Sequence, residues 1–227
     1  MTAAHMTSPK APVTALDIGP ARPADGADLW RIARAAEDLD LNSPYSYLLW
    51  CRDFAATTAV ARDATGRPFG FVTGYLRPEA PGTLFVWQVA VDGSHRGSGV
   101  AGALLDALAA RVAAAGHGPI RIEATVTPGN VASDRLFRSF ARRHGAALTR
   151  EVLFAADAFP ADAVDTFPAD DADASAATDA AGTSQASQAH ASQASQASEA
   201  PGFDAQGATA HEPEVLYRIG PLTPPLP

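Results

Sequence analysis

The chain has 227 residues, a net charge of −8 and 47% hydrophobic residues, many of them alanine, which is length enough for one ordinary domain with a packed core. The acidic balance, with basic pairs such as Arg142–Arg143 scattered rather than clustered, excludes a surface built to grip nucleic-acid phosphates. A single cysteine, Cys51, excludes an internal disulfide, and the sequence shows no cationic apolar leader and no long apolar run, so the expected setting is the cytoplasm, away from membrane.

Residues 1–13 are small and polar and are read as a flexible N-terminal arm. A helix fits Asp25–Asp38, with Leu29, Ile32, Ala33 and Ala36 on one stripe. A second begins at Ser43-Pro44, where Ser43 can cap and Pro44 is preorganised for the first turn, and runs from Tyr45 to Phe54. Strands over Thr57–Arg62 and Phe69–Leu76 flank a turn around Gly66 and Pro68. Pro78 to Gly82 makes another turn, and LFVWQVAV, Leu84–Val91, is apolar except for Gln88, which predicts a strand buried on both faces.

DGSHRGSGVAGALLDAL follows directly, with Val100, Leu104, Leu108 and Val112 at helical spacing and Gly116 as a stop. In the next strand Ile120, Ile122, Ala124 and Val126 alternate with Arg121, Glu123 and Thr125. Asn130–His144 predicts a helix with Leu136, Phe137 and Phe140 inward, and ALTREVLF a further strand. The expected fold class is α/β (α+β), a mixed and mostly antiparallel central sheet flanked by helices, with its domain at 14–160.

Residues 161–207 collapse into Asp/Ala and Ser-Gln-Ala repeats that bury too little apolar surface to offset the entropy of ordering, and are read as a disordered insertion. A strand-like segment, HEPEVLYRI at 211–219, returns within residues 208–220, which complete the domain, and 221–227 is a tail.

The glycine loop has the make-up of an anion site. Glycines allow close backbone approach, successive N–H groups from Gly97 to Gly102 can point at one spot, and the helix start adds positive potential. A tight connection with no ligand is the plainer alternative. There is no Gly-Lys-Ser/Thr, which excludes a nucleotide P-loop, and no dinucleotide fingerprint with a later ribose-binding acid.

QVAVDGSHRGSGVAGALLDAL resembles the fourth strand and cofactor loop of the GNAT N-acetyltransferases. The resemblance implies acetyl-CoA as cosubstrate, held by Arg96, Gly97, Gly99, Val100, Ala101 and Gly102, with Asn130 contacting it from the following helix and the pantetheine arm pairing with the main chain of Val89 and Val91. LDLNSPYSYLLWCRDF, FVWQVAVD, EATVTPGNVASDRLFRSFAR and HEPEVLYRIGPL further resemble one branch of that superfamily, the L-2,4-diaminobutyrate Nγ-acetyltransferases of ectoine biosynthesis. That branch implies a diamino acid pocket lined by Asp40, Trp87, His211 and Glu214, with Tyr45 nearby, and homodimers are common within it. Many GNAT enzymes carry a tyrosine where Phe137 stands and use it to protonate the departing thiolate, so that role is unassigned here.

A lysine-like ammonium presented neutral at pH 7 costs roughly 4–5 kcal/mol unless the site helps. Carboxylates can orient it and pass its proton to water, and the candidates on the resembling segments are Asp40, Glu123 and the pair His211 and Glu214; the resemblance implies Glu214, His211 and Asp40 for catalysis and Trp87, Tyr45 and Glu123 for substrate binding. Each has a plainer alternative: a helix-end carboxylate for Asp40, a core aromatic for Trp87, a partner of Arg121 or Arg150 for Glu123, the wet end of an edge strand for His211 and Glu214. Cys51, among Leu48, Leu49 and Phe54, reads as core. The six histidines lack metal-ligand spacing, so no metal is expected. Other small amines, or a non-catalytic acetyl-CoA sensor, are the competing functions.

Overall fold

The computed structural model describes residues 16–36, 39–117, 120–159 and 212–222. The readings of 1–13 as an arm and of 161–207 as disordered lie outside the described residues, as does His211. The elements up to Ala156 and from Glu212 onward form one compact unit; residues 157–211 form another, of which only 157–159 are described.

In chain order the elements are β1 (Asp17–Pro20), α1 (Gly26–Arg34), α2 (Pro44–Asp53), β2 (Thr58–Arg62), β3 (Pro68–Arg77), β4 (Ala80–Val91), α3 (Val100–Val112), β5 (Ile120–Val126), α4 (Val131–Arg143), β6 (Leu148–Phe154) and β7 (Glu214–Leu222). The Ser43 hydroxyl accepts from the Ser46 main-chain N–H at 3.4 Å with Pro44 opening α2, the cap and first-turn proline expected of that sequence. The first helix is shorter than its apolar stripe, ending at Arg34.

One sheet of seven strands runs in the order β1-β2-β3-β4-β5-β7-β6. Every neighbouring pair is antiparallel except β4 with β5. α3 and α4 bury Leu104, Leu105, Leu108, Phe137 and Phe140 in one cluster with Leu84, Val86, Ile122 and Ile219 of the sheet. Leu29, Ile32, Tyr47 and Cys51 of α1 and α2 pack with Val60, Phe71 and Ala90 in a second cluster. Each large side chain fully withdrawn from water contributes roughly 1.5–3 kcal/mol before entropy is counted, so the two clusters hold a helix layer to each face of β2–β4.

β7 is an interior strand, not the sheet edge proposed as the plainer setting of HEPEVLYRI, because it lies between β5 and β6 with registered partners on both sides. It also extends through Leu222, two residues into the expected tail. β1 was not anticipated: Asp-Ile-Gly-Pro carries little strand signal, and it survives as a short edge strand, where proline is tolerated.

The strand expected to be buried on both faces is not. Thr73 pairs with Gln88 while Gly74 pairs with Val86, so β4 bulges at Trp87, which has no partner on β3. The extra residue shifts the alternation, leaving Gln88 6% and Trp87 48% exposed. Gly74 is required opposite the bulge, since a Cβ there would stand 2.6 Å from the Phe85 carbonyl oxygen.

Candidate active site

The parallel pairing of β4 with β5 runs from Thr83–Arg121 to Val86–Ala124, whereas β4 continues to Val91. Beyond Val86 the two strands part. The Asp92 N–H donates to the Phe69 carbonyl across β3 at 2.8 Å, and antiparallel pairs alternate. Gln88 and Ala90 therefore turn their main chains toward β3, while Val89 and Val91 turn theirs toward the opening. β7, on the far side of β5, starts at the same end, since Val126 of β5 pairs with Val215, so Glu214 stands at that end of the sheet.

After β4 the chain makes a short 3-10 turn, Gly93–His95, and a loop in which Gly97 (φ +74°) and Gly99 (φ +86°) adopt the left-handed conformation, with Gly99 capping α3. Among the described residues nothing lies within 4 Å of a Cβ built on either glycine, so the loop presents its main chain to open space beside them. A cleft of about 740 Å³ occupies that space and is lined by Val89, Val91, Arg96, Gly97, Gly99, Val100, Ala101, Gly102 and Asn130. The structure thus brings all nine of the expected cofactor residues together.

The roles of two are defined more closely. Arg96 donates from Nε to the Val91 oxygen at 3.1 Å and from Nη2 to the Ala35 oxygen at 3.3 Å, tying the loop to β4 and to the end of α1. Asn130 caps α4, its Oδ1 accepting from the Ser133 N–H at 2.9 Å, so its amide nitrogen is the group left to donate into the cleft. The geometry fits a coenzyme A thioester: two strands apart enough to admit an extended arm, then a nest of N–H groups at a helix start for a diphosphate.

The expected substrate residues fall in two places. Leu39 lines the cleft, and Asp40 follows it, exposed, its main-chain oxygen accepting from Gln88 Nε2 at 2.7 Å. The Tyr47 hydroxyl donates to Gln88 Oε1 at 3.1 Å; burial pushes the Tyr47 hydroxyl's pKa up. That proton is committed inside the protein, so Tyr47 is no ready acid. Trp87 is a stacked surface ring, not a core aromatic: its centroid lies 6.3 Å from that of Trp50 on α2 at an interplanar angle of 27°. Tyr45, 65% exposed, stands in the first turn of the same helix.

Glu123 lies within β5. Its side chain is buried, with Oε2 held by Arg77 at 2.9 Å and Oε1 by Arg218 at 3.1 Å. Neither Arg121 nor Arg150, the partners considered from sequence, is involved; Arg218 sits opposite it in the β5–β7 register, and Arg150 lies 3.6 Å from Asp134. Glu123 is not among the residues lining the cleft of about 740 Å³; its carboxylate is shared between an arginine on β3 and one on β7. Phe137 is buried beside Tyr217, whose hydroxyl donates to Asp134 at 2.7 Å.

Sequence reasoning missed Gln88 as the post joining β4, α2 and the Asp40 segment, although its isolation in an apolar run was the available signal. It also missed Asp106, Arg135, Ser139 and Arg143, which line the cleft beyond the glycine loop; they read as an ordinary wet helix face. Among the described residues, no group of acidic, histidine and cysteine side chains could hold a metal ion, and no helix is long and apolar enough to cross a membrane.

Residues 27–141 match the model of the acetyltransferase (GNAT) family. The chain is 59% identical over 162 residues to an L-2,4-diaminobutyric acid acetyltransferase of Streptomyces anulatus, covering 71% of this chain and 92% of that one. It is 50% identical over 208 residues to the protein of that name from Streptomyces coelicolor, covering 92% and 94%. Among solved structures, diaminobutyrate acetyltransferase EctA from Paenibacillus lautus, in complex with L-2,4-diaminobutyric acid and coenzyme A, superposes with a TM-score of 0.66 at 32% identity, covering 92% of this chain and 96% of that one. Parted strands, a left-handed glycine loop and these likenesses agree, and the chain belongs to the GNAT family of acetyltransferases.

Proposed function

We propose that this protein transfers the acetyl group of acetyl-CoA to the γ-amine of L-2,4-diaminobutyrate, the acetylation step of ectoine biosynthesis. The observation that carries the reading is the parting of β4 from β5 beyond Val86, with the main chain of Val89 turned into the opening and the glycine loop at its mouth. The likeness to relatives named for diaminobutyrate supports the substrate.

Acetyl-CoA supplies an activated thioester. The Val89 main-chain N–H is placed to donate to its carbonyl oxygen, where charge develops as the amine attacks, and the Gly97–Gly102 N–H groups hold the diphosphate. Asp40 and Glu214, with His211 beyond the described residues, orient the ammonium and pass its proton to water. Trp87, with Tyr45 nearby, offers an aromatic face to the cationic substrate. Water protonates the departing thiolate, because Phe137 has no proton to give. A homodimer working in the cytoplasm completes the proposal; a monomeric mass in sedimentation at micromolar concentration would overturn the dimer.

The deciding experiment mixes the protein with acetyl-CoA and a panel of diamines and follows free thiol, with NMR locating the acetyl group. Thiol release with L-2,4-diaminobutyrate and acetylation on the γ-nitrogen are expected. Turnover of a different amine alone, or coenzyme binding with no thiol released, would replace this reading by another acetyltransferase or by a sensor.

A further inference from the structure

The cleft does not stop at the glycine loop. Beyond it, Asp106 of α3 faces Arg135, Ser139 and Arg143 of α4, and all four line the same space. Asp106 lies about 10 Å along α3 from the Gly99 cap at 1.5 Å per residue, so this is a separate end of the cleft.

Arg143 is held in place there. Its Nη2 donates to both Asp106 carboxylate oxygens at 2.8 and 2.9 Å, and its Nη1 to the Ser139 hydroxyl at 3.1 Å. Its guanidinium lies over the Phe140 ring, 5.8 Å from the centroid. A Cβ on Gly102 would come within 3.4 Å of it, so a side chain at Gly102 would crowd it. Of five N–H donors, these bonds leave the one on Nε and one on Nη1. Arg135 is exposed on the same helix and forms no ion pair with the described residues. Asp106 offsets one of the two guanidinium charges, and His144, 2.9 Å from Asp106, shares the same carboxylate. This end of the cleft is therefore net positive in a chain of net charge −8.

Resting on the acetyl-CoA reading above, we propose that Arg143 and Arg135 form a subsite for the ribose 3′-phosphate of the coenzyme and make the enzyme discriminate coenzyme A from its 3′-dephospho form. With the diphosphate at the glycine loop and the pantetheine arm running toward Val89, the nucleoside extends the other way, to this end. The 3′-phosphate is the one remaining anion of the molecule. A preorganised guanidinium with spare donors is the group suited to a phosphate.

Titration calorimetry with coenzyme A and with 3′-dephospho-coenzyme A, on the full chain, tests this without turnover. The parent is expected to bind coenzyme A about ten- to hundredfold more tightly than the dephospho form. In R135Q/R143Q that ratio should fall toward one while dephospho-coenzyme A affinity stays within about threefold of the parent's. Arg143→Lys, which keeps the charge without the fork, should restore part of the ratio. A parent that binds both ligands alike, or a variant that loses both equally, overturns the assignment alone; a parent that binds neither overturns the acetyl-CoA reading with it.

Discussion

The side-chain amide of Gln88 donates a 2.7 Å hydrogen bond to the main-chain oxygen of Asp40 while its own oxygen accepts from Tyr47. One buried amide thereby links the strand that carries Trp87 and Val89 to the segment that carries Asp40. Tyr47→Phe removes a single hydroxyl and leaves the Gln88 oxygen unpaired, at a stability cost of about 1–3 kcal/mol. The KM for diaminobutyrate should rise several-fold, with coenzyme A affinity within twofold of the parent. Steady-state kinetics beside calorimetry would show it; equal losses for both ligands would mean that the link is merely structural.

Glu214→Gln preserves shape at the start of β7, where Glu214 pairs with Phe154 of β6, and removes a negative charge. Turnover is expected to fall about tenfold or more as the ammonium loses an orienting carboxylate, with coenzyme A binding retained. Kinetics matching the parent at all diaminobutyrate concentrations would remove Glu214 from the site.

Gly99→Val acts through the backbone. No atom of the described residues would meet the new Cβ within 4 Å, but φ is +86°, which costs an L-residue about 1–2 kcal/mol, and the side chain would occupy the space assigned to the diphosphate. Coenzyme A affinity should drop at least about tenfold with the fold retained. Unchanged affinity in a folded variant would sink the loop assignment.

Much of the scaffold was legible because periodicity and caps are local. Ser43-Pro44 announced α2, the 3.6-residue repeat announced α3, and the strand–glycine–helix order announced the cleft. What stayed hidden depends on partners distant in the chain. The bulge that exposes Trp87 exists only because β3 is one residue shorter across that stretch. Glu123 could not be given to Arg77 and Arg218 before β7 was known to pair with β5. Gln88 was visible as an oddity, but its two partners lie 41 and 48 residues away.

Cys51 is fully buried, and burial, with a smaller contribution from Asp25, pushes its thiol pKa up to about 12. The native thiol should resist disulfide reagents at pH 8 and react once the chain is unfolded. An unfolded thiol ionises near pH 9. Between that value and the folded one the unfolded state binds fewer protons, so this group's contribution to stability declines by about 1.4 kcal/mol per pH unit as pH rises. Denaturation of Cys51→Ala should therefore show a shallower loss of stability from pH 9 to 11 than the parent; identical slopes would contradict the shift.

β6 and β7 are adjacent antiparallel strands with Phe154 opposite Glu214, so the two ends of the intervening segment are joined by the sheet itself. For a flexible connection, closing about fifty residues instead of about eight costs only ~1.6 kcal/mol by the logarithmic rule. Replacing Ala161–Gly207 with a short Gly/Ser linker should leave acetyl transfer within a few-fold of the parent and stabilise the fold slightly. Truncation after Glu199 differs in kind. It removes an interior strand, with the buried Leu216, Tyr217 and Ile219, the Arg218 that holds Glu123 and the Glu214 and His211 proposed for catalysis. β5 and β6 would each lose their partner, leaving unpaired edges where the native sheet is continuous. The truncated chain should be inactive and aggregation-prone, with its far-ultraviolet spectrum changed. Thiol release and thermal melting of the two variants side by side check both halves. An active truncation would show that β7 is dispensable, and a folded but inactive linker variant would show that residues 161–207 act in the reaction itself.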